Sequence, residues 1–112
     1  MKDKYIVGIG ASNLDIYGKS RIVIRTHYDH PADIHYTVGG VIHNIITNYA
    51  LLGGKCKVIS AVGDDGFGKI ILDDYKSNNI DTSEILVSKN NPSGVFMQVQ
   101  DENNDMYLAV CD

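Results

Sequence analysis

At 112 residues the chain has room for one domain around a single core, which puts an account that needs two complete lobes at a disadvantage. Its 44% hydrophobic and 21% charged residues exclude a disordered or fibrous chain. A formal net charge of -4, with Lys and Arg scattered, leaves no basic stripe for nucleic acid or anionic lipid, and no apolar run approaches the roughly 20 residues of a membrane span.

Neither nucleic acid nor a membrane is therefore expected as a partner. The start, MKDKYIVGIG, carries acid early and has no cleavage pattern, so the cytoplasm is the expected location. Cys56 and Cys111 show no CxxC or Cys/His spacing and read as two reduced thiols, without zinc or redox chemistry.

Along the chain, KYIVGI (4–9) is rich in β-branched residues and ends in Gly10-Ala11-Ser12-Asn13, as a buried strand feeding a turn should. Gly8-Ile9-Gly10-Ala11-Ser12-Asn13 begins like a dinucleotide-binding fingerprint. Asn13 replaces its third glycine, however, and LDIYG does not read as the helix that would hold a pyrophosphate. Asn13 and Asp15 fall just beyond the carboxyl end of this strand, where open α/β sheets place ligand groups, and alternation puts them on one side. Capping a turn is the other reading of the pair. RIVIRT (21–26) and DIHYTV (33–38) alternate at period two and are expected to be half-exposed strands joined across HYDHPA.

From Val41 the period changes to that of a helix. Val41, Ile45, Tyr49 and Leu52 form one stripe, widened by Ile42 and Ile46, and this is the expected buried face, with His43, Asn44 and Thr47 elsewhere. Gly53-Gly54 should end the helix with a left-handed cap before a second buried strand, KVISAV (57–62).

In GDDGFG (63–68) the acidic pair Asp64-Asp65 lacks the spaced oxygen ligands of a calcium loop and stands where carboxylates cap a following helix. Phe67, Ile70, Ile71 and Tyr75 place that helix up to about Ser77, closed by Asn78-Asn79. Residues 80–85 read as a turn into Ile85-Leu86-Val87, and VFMQVQ and MYLAV form a hairpin across 102–105. The alternation of strands and helices predicts an α/β fold with a largely parallel sheet and added antiparallel strands.

His27, His30, His35 and His43 share no metal-ligand spacing and read as loop or pocket-rim residues. No Ser/His/Asp set carries an elbow signature, so a hydrolase is not indicated. The stretch TVGGVIHNIITNYALLGG (37–54) is more informative: Gly39-Gly40 remove side chains where a ligand can approach, and Asn44 offers a donor and an acceptor near a helix N-terminus. A vicinal diol needs that mixture. Close helix–strand packing, with Asn44 satisfied by backbone, is the alternative.

From about Ile6 onward these residues resemble the N-terminal part of the ribokinase-like, or PfkB, family of sugar and nucleoside kinases. The resemblance rests on Gly39-Gly40, Asn44, Gly53 and Gly63 at the intervals of the family's N-terminal signature, with the GDDGFG turn and the Asn13/Asp15 pair. Within the family, GASNLDIYG, GGVIHN and ISAVGDDGFG most resemble pseudouridine kinases and related nucleoside kinases.

The resemblance implies part of a three-layer α/β core, at about 4–18 and 39–88, and a small β-sheet lid, at about 19–38 and 94–110. It implies that Asp15 and Asn44 bind sugar hydroxyls, that Asn13 assists, and that Gly39 and Gly40 let the substrate lie against backbone. Phe96 or Gln98 would face the substrate from the lid. The implied acceptor is a sugar or nucleoside, and the implied donor is ATP with Mg2+ in the full-length enzyme, neither held by this segment alone.

Two departures stand out. Ile42 and Ile46 are branched where the family usually has small residues. The family's Gly-Ala-Gly-Asp turn, which supplies the base and anion hole, has no counterpart in these residues, so the segment contains no catalytic residue and is expected to be an inactive N-terminal portion of a longer kinase. A non-catalytic sugar-binding or oligomerisation module derived from such a kinase is the alternative. A parallel sheet lacking its remaining cover should expose apolar surface, so a homodimer through the lid or the sheet edge is expected.

Overall fold

The computed structural model describes residues 4–112; Met1, Lys2 and Asp3, the acidic start noted above, lie outside the described residues. In chain order the elements are β1 (Ile6–Ile9), β2 (Asn13–Ser20), β3 (Ala32–Gly39), α1 (Val41–Leu51), β4 (Cys56–Gly63), α2 (Gly66–Ser77), β5 (Asp81–Ser88), β6 (Gly94–Gln100) and β7 (Met106–Cys111). They divide into two compact units, one made of the chain up to Leu14 with Val38–Gly94, the other of Asp15–Thr37 with Val95–Asp112.

The first unit is a parallel sheet in the order β1-β4-β5 with both helices. Ile6 pairs with Cys56 and Ile9 with Ile59, while Ser60 pairs with Ile85 and Val62 with Val87. Cys56, Val58, Val62 and Ile85 turn one sheet face inward, where they share a buried core with Ile46, Ile71, Tyr75 and Ile80. On the opposite face the register lines up Val7, Ile9, Ile59 and Leu86, all exposed, Ile9 to 72%. Both faces of a parallel sheet are normally covered. Of the three layers implied by the resemblance, the described residues of this unit supply two.

The face that α1 buries differs from the expected stripe. Val41, Ile45 and Leu52 are exposed, Val41 to 78%, whereas His43 and Ile46 are buried. Two apolar stripes were available, and the choice between them was made by β1, whose glycines receive the Ile42 and Ile46 side chains. His43, read as a rim residue, is turned inward by the same rotation. The helix ends as expected: Gly53, at φ +86°, donates to the Ala50 carbonyl and Gly54 to that of Tyr49, the double bond of a Schellman cap.

Asp65 starts α2, accepting from the Gly68 N–H at 2.7 Å through Oδ1 and from the Ser93 N–H at 2.9 Å through Oδ2. Buried Ser93 donates its hydroxyl to the same carboxylate and accepts the Gly63 N–H, so one cap ties the turn after β4 to the start of β6. β5 begins at Asp81, earlier than the expected Ile85, because residues 81–84 already pair with β4.

The four-stranded sheet has the order β3-β2-β6-β7. The expected hairpin is present, with Phe96 opposite Cys111 and Val99 opposite Leu108, and Asp101 accepts the Asn103 and Asp105 N–H groups in its turn. The expected strand at 21–26 is absent, and NLDIYGKS forms β2 instead. Ser20 ends that strand by donating its hydroxyl to the Ile22 carbonyl at 2.6 Å. Beyond it, Arg21 donates its N–H to the Pro31 carbonyl at 3.0 Å and Arg25 donates to His30 Nε2 at 2.8 Å, so loop contacts rather than a strand ladder engage this backbone. Among the described residues no helix is long and apolar enough to cross a membrane.

The N–H groups of Ser93 and Gly68, followed by the Ser93 hydroxyl, hold the Asp65 carboxyl below its ordinary value of 3.8. A depressed carboxyl stabilises the fold above its unfolded value and loses that contribution as the pH falls through its folded one. Thermal unfolding of the parent and of Asp65→Asn should therefore show a gap in Tm near neutral pH that closes as the pH is taken below 3.8. A gap independent of pH would remove Asp65 from the acid response.

Candidate substrate-binding site

In the first unit the site residues surround one tight backbone approach. Gly39 is the buried last residue of β3, and Gly40 follows at φ +103°, a conformation side chains rarely adopt. A Cβ on Gly40 would lie 2.5 Å from the Ala11 carbonyl oxygen and 3.1 Å from Asn13 Oδ1. The structure therefore brings Asn13 and Gly40 together, and only glycine fits between them.

Gly40 is also the N-cap of α1, with no side-chain cap and no acidic residue in the first turn. The early N–H groups of the helix are a source of donors and of positive potential. Asn44 donates its backbone N–H to the Gly40 carbonyl at 3.1 Å and is exposed. Its side-chain Oδ1 lies 3.2 Å from Nδ1 of His43, so the side chain is engaged by the neighbouring imidazole.

Within the second unit, Asp15 lies on β2 and the Tyr17 hydroxyl approaches its Oδ2 at 3.4 Å. The Tyr17 ring stacks on His35 of β3, with centroids 5.1 Å apart and planes at 16°, and meets Phe96 of β6 edge-on at 6.4 Å. Partial burial, followed by the Asp15 charge, pushes the Tyr17 hydroxyl up from its ordinary value, so it stays a proton donor at neutral pH. Asp15 and Phe96 are thus joined on one face through Tyr17. Gln98 lines an open apolar hollow of about 340 Å³ with Ile16, Ile34 and Met97.

Tyr17 has no expected role, and His35 and His43 are expected only at a loop or pocket rim. Tyr17 was within reach of the argument applied to Asp15, being two residues further along the same strand. His35 needed the strand pairing, and His43 needed its partner Asp74, which is 31 residues away.

The branched residues at 42 and 46 are accommodated without opening the site. A Cβ on Gly8 would lie 2.4 Å from Ile46 Cγ1 and 2.8 Å from Ile42 Cγ1, and one on Gly10 would lie 3.1 Å from Ile42 Cβ. Bulk on the helix is matched by its absence on β1.

The model of the family described as pfkB family carbohydrate kinase matches residues 3–111. The chain belongs to the pfkB family of carbohydrate kinases. It is 32% identical to the pseudouridine kinase of Escherichia coli over 113 residues, all of this chain and 36% of that protein. It is 34% identical to the ribokinase of Dictyostelium discoideum over 108 residues, 94% of this chain and 33% of that one. A carbohydrate kinase from Agrobacterium tumefaciens superposes with a TM-score of 0.89 at 16% identity, over 97% of this chain and 35% of its own, which shows the shared fold. The chain spans about a third of the length of the curated relatives it matches.

Within this pfkB-family segment, Gly8 and Ile46 should behave as one packing unit. Gly8→Ala is expected to cost about 1–3 kcal/mol by overpacking. Ile46→Ala should cost about 2–5 kcal/mol by leaving a cavity. Urea denaturation of the double variant should give a loss smaller than the sum by more than about 0.5 kcal/mol. Additive losses would mean that the two sites are independent.

Proposed function

We propose that this segment binds and orients the acceptor of an ATP-dependent sugar or nucleoside kinase, which transfers a phosphoryl group to a sugar hydroxyl. The observation that carries the proposal is the glycine-only approach of Gly40 to Asn13, followed by Asn44 in the first turn of α1, in a chain of the pfkB family. Asp15 accepts hydrogen bonds from sugar hydroxyls, Asn44 both donates and accepts, Asn13 assists, and Gly39-Gly40 let the sugar lie against backbone. Phe96 faces the acceptor from the lid, and Gln98 is the second lid candidate.

A nucleoside is favoured over a bare sugar by the Tyr17–His35 stack with Phe96 beside Asp15. A carboxylate suits the ribose, and adjoining aromatic rings suit a base. The pseudouridine kinase among the relatives agrees with this choice.

ATP would supply the phosphoryl group and Mg2+ the charge neutralisation. The glycine-rich turn after β1 does not fit the phosphates of ATP, since it runs into strand β2 and not into a helix N-terminus that could receive them. The transfer step is accordingly assigned to a further part of the kinase, and this segment by itself to binding. That further part would also cover the apolar sheet face at Val7, Ile9, Ile59 and Leu86. A second copy, through the lid or the sheet edge, is the proposed partner when it is missing.

Isothermal titration with pseudouridine and with ribose tests the assignment. Asp15→Ala should weaken both ligands on the order of tenfold or more, through loss of charge-assisted hydrogen bonds. Tyr17→Ala should cost the nucleoside about 1–3 kcal/mol of stacking and leave ribose nearly unchanged. Equal losses for the two ligands would turn the reading back to a plain sugar, and unaltered binding in Asp15→Ala would overturn the assignment of Asp15.

A further inference from the structure

His43 is 6% exposed, yet both of its ring nitrogens are engaged. Nε2 lies 2.6 Å from Oδ2 of Asp74 on α2, with the Thr47 hydroxyl at 3.4 Å, and Nδ1 lies 3.2 Å from the Asn44 side chain. The ring also meets Tyr75 edge-on at 5.1 Å. Tyr75 is itself held by the Ser12 hydroxyl at 2.6 Å, which leads on to Ser60 at 3.0 Å. The groups facing the imidazole are therefore Asn44 and Thr47 from its own helix and Asp74 and Tyr75 from α2.

A carboxylate can only accept, so Nε2 carries a proton and donates to Asp74. The role of Nδ1 then decides which end of the Asn44 amide turns toward the ring. When Nδ1 also carries a proton, it donates to the Asn44 carbonyl and leaves the amide NH2 pointing away. When Nδ1 is bare, it accepts from the NH2 and leaves the carbonyl pointing away. In either state a ring fixed by Asp74 selects one of the two orientations of an amide that would otherwise rotate freely at the surface.

We propose that His43, anchored by Asp74, is a positioning residue that sets the orientation of the Asn44 amide and thereby whether Asn44 offers a donor or an acceptor to the sugar. The part of this inference that concerns the sugar rests on the proposed function; the Asp74–His43–Asn44 relay does not. It assigns a role to a helix-buried histidine that otherwise has none, and it identifies α2 as a contributor to Asn44.

Nitrogen-15 NMR of the 112-residue chain tests the relay without any ligand. In His43→Phe, which keeps the ring without its nitrogens, the Asn44 side-chain NH2 resonances should shift. In Asp74→Asn the Nε2–H form is no longer enforced, and the Asn44 resonances should shift there too. Asn44 signals that ignore both substitutions would overturn the relay.

The binding arm uses pseudouridine as probe. His43→Phe keeps the buried ring but not its hydrogen bonds, and should weaken binding about tenfold. His43→Gln, which restores an amide partner, should recover most of the loss. Wild-type affinity in His43→Phe would overturn the positioning role even if the relay exists. Absence of binding by the parent chain would count against the proposed function and leave the NMR result to judge the relay.

Discussion

The arrangement of the candidate site depends on one backbone contact, the approach of Gly40 to the Ala11 carbonyl. A side chain there would collide with the turn between β1 and β2 and would also be forced into a positive φ, so two independent constraints select the same residue. Because Gly40 joins β3 to α1, its position fixes the start of the helix, and with it Asn44 and His43. Because the contact is with 11–13, it also sets Asn13. Gly40 is thus the hub of the arrangement in the first unit.

A second constraint concerns the space between α1 and β1. Gly8 and Gly10 leave room that Ile42 and Ile46 fill, which explains both the branched residues on the helix and its rotation. The rotation has a consequence for chemistry, since it turns His43 toward α2 and leaves Asn44 exposed. Packing on one side of the helix thus decides which polar groups appear on the other. The opposite face of the sheet carries Val7, Ile9, Ile59 and Leu86 without cover, in keeping with a chain that spans about a third of its relatives.

Features with local causes were legible in the sequence. The Asp65 cap, the Gly53-Gly54 helix end, the hairpin around 101–105 and the position of the first strand each follow from a few adjacent residues, although that strand leaves Ile6, Val7 and Ile9 exposed where a buried one is expected. Features with distant causes were not. The periodicity of α1 allowed two apolar faces, and glycines some 35 residues earlier made the choice. RIVIRT alternates like a strand, but Ser20, His30 and the Pro31 carbonyl engage its backbone, which no pattern of polarity reports. Among the proposed site residues, Asn13, Gly40 and Asn44 were candidates from residue type and position, whereas the stack of Tyr17 on His35 became visible only with the pairing of β2 and β3.

The proposed function stands or falls on whether the segment takes up a ribosyl acceptor at these residues. The most direct measurement is amide chemical-shift mapping of the 112-residue chain during a titration with pseudouridine. Saturable shifts should concentrate at Asn13, Asp15, Gly39, Gly40 and Asn44, with ring-current effects beside Tyr17 and Phe96. Shifts confined to other residues, or none at ligand concentrations of about 10 mM, where even a millimolar site would be mostly filled, would contradict it.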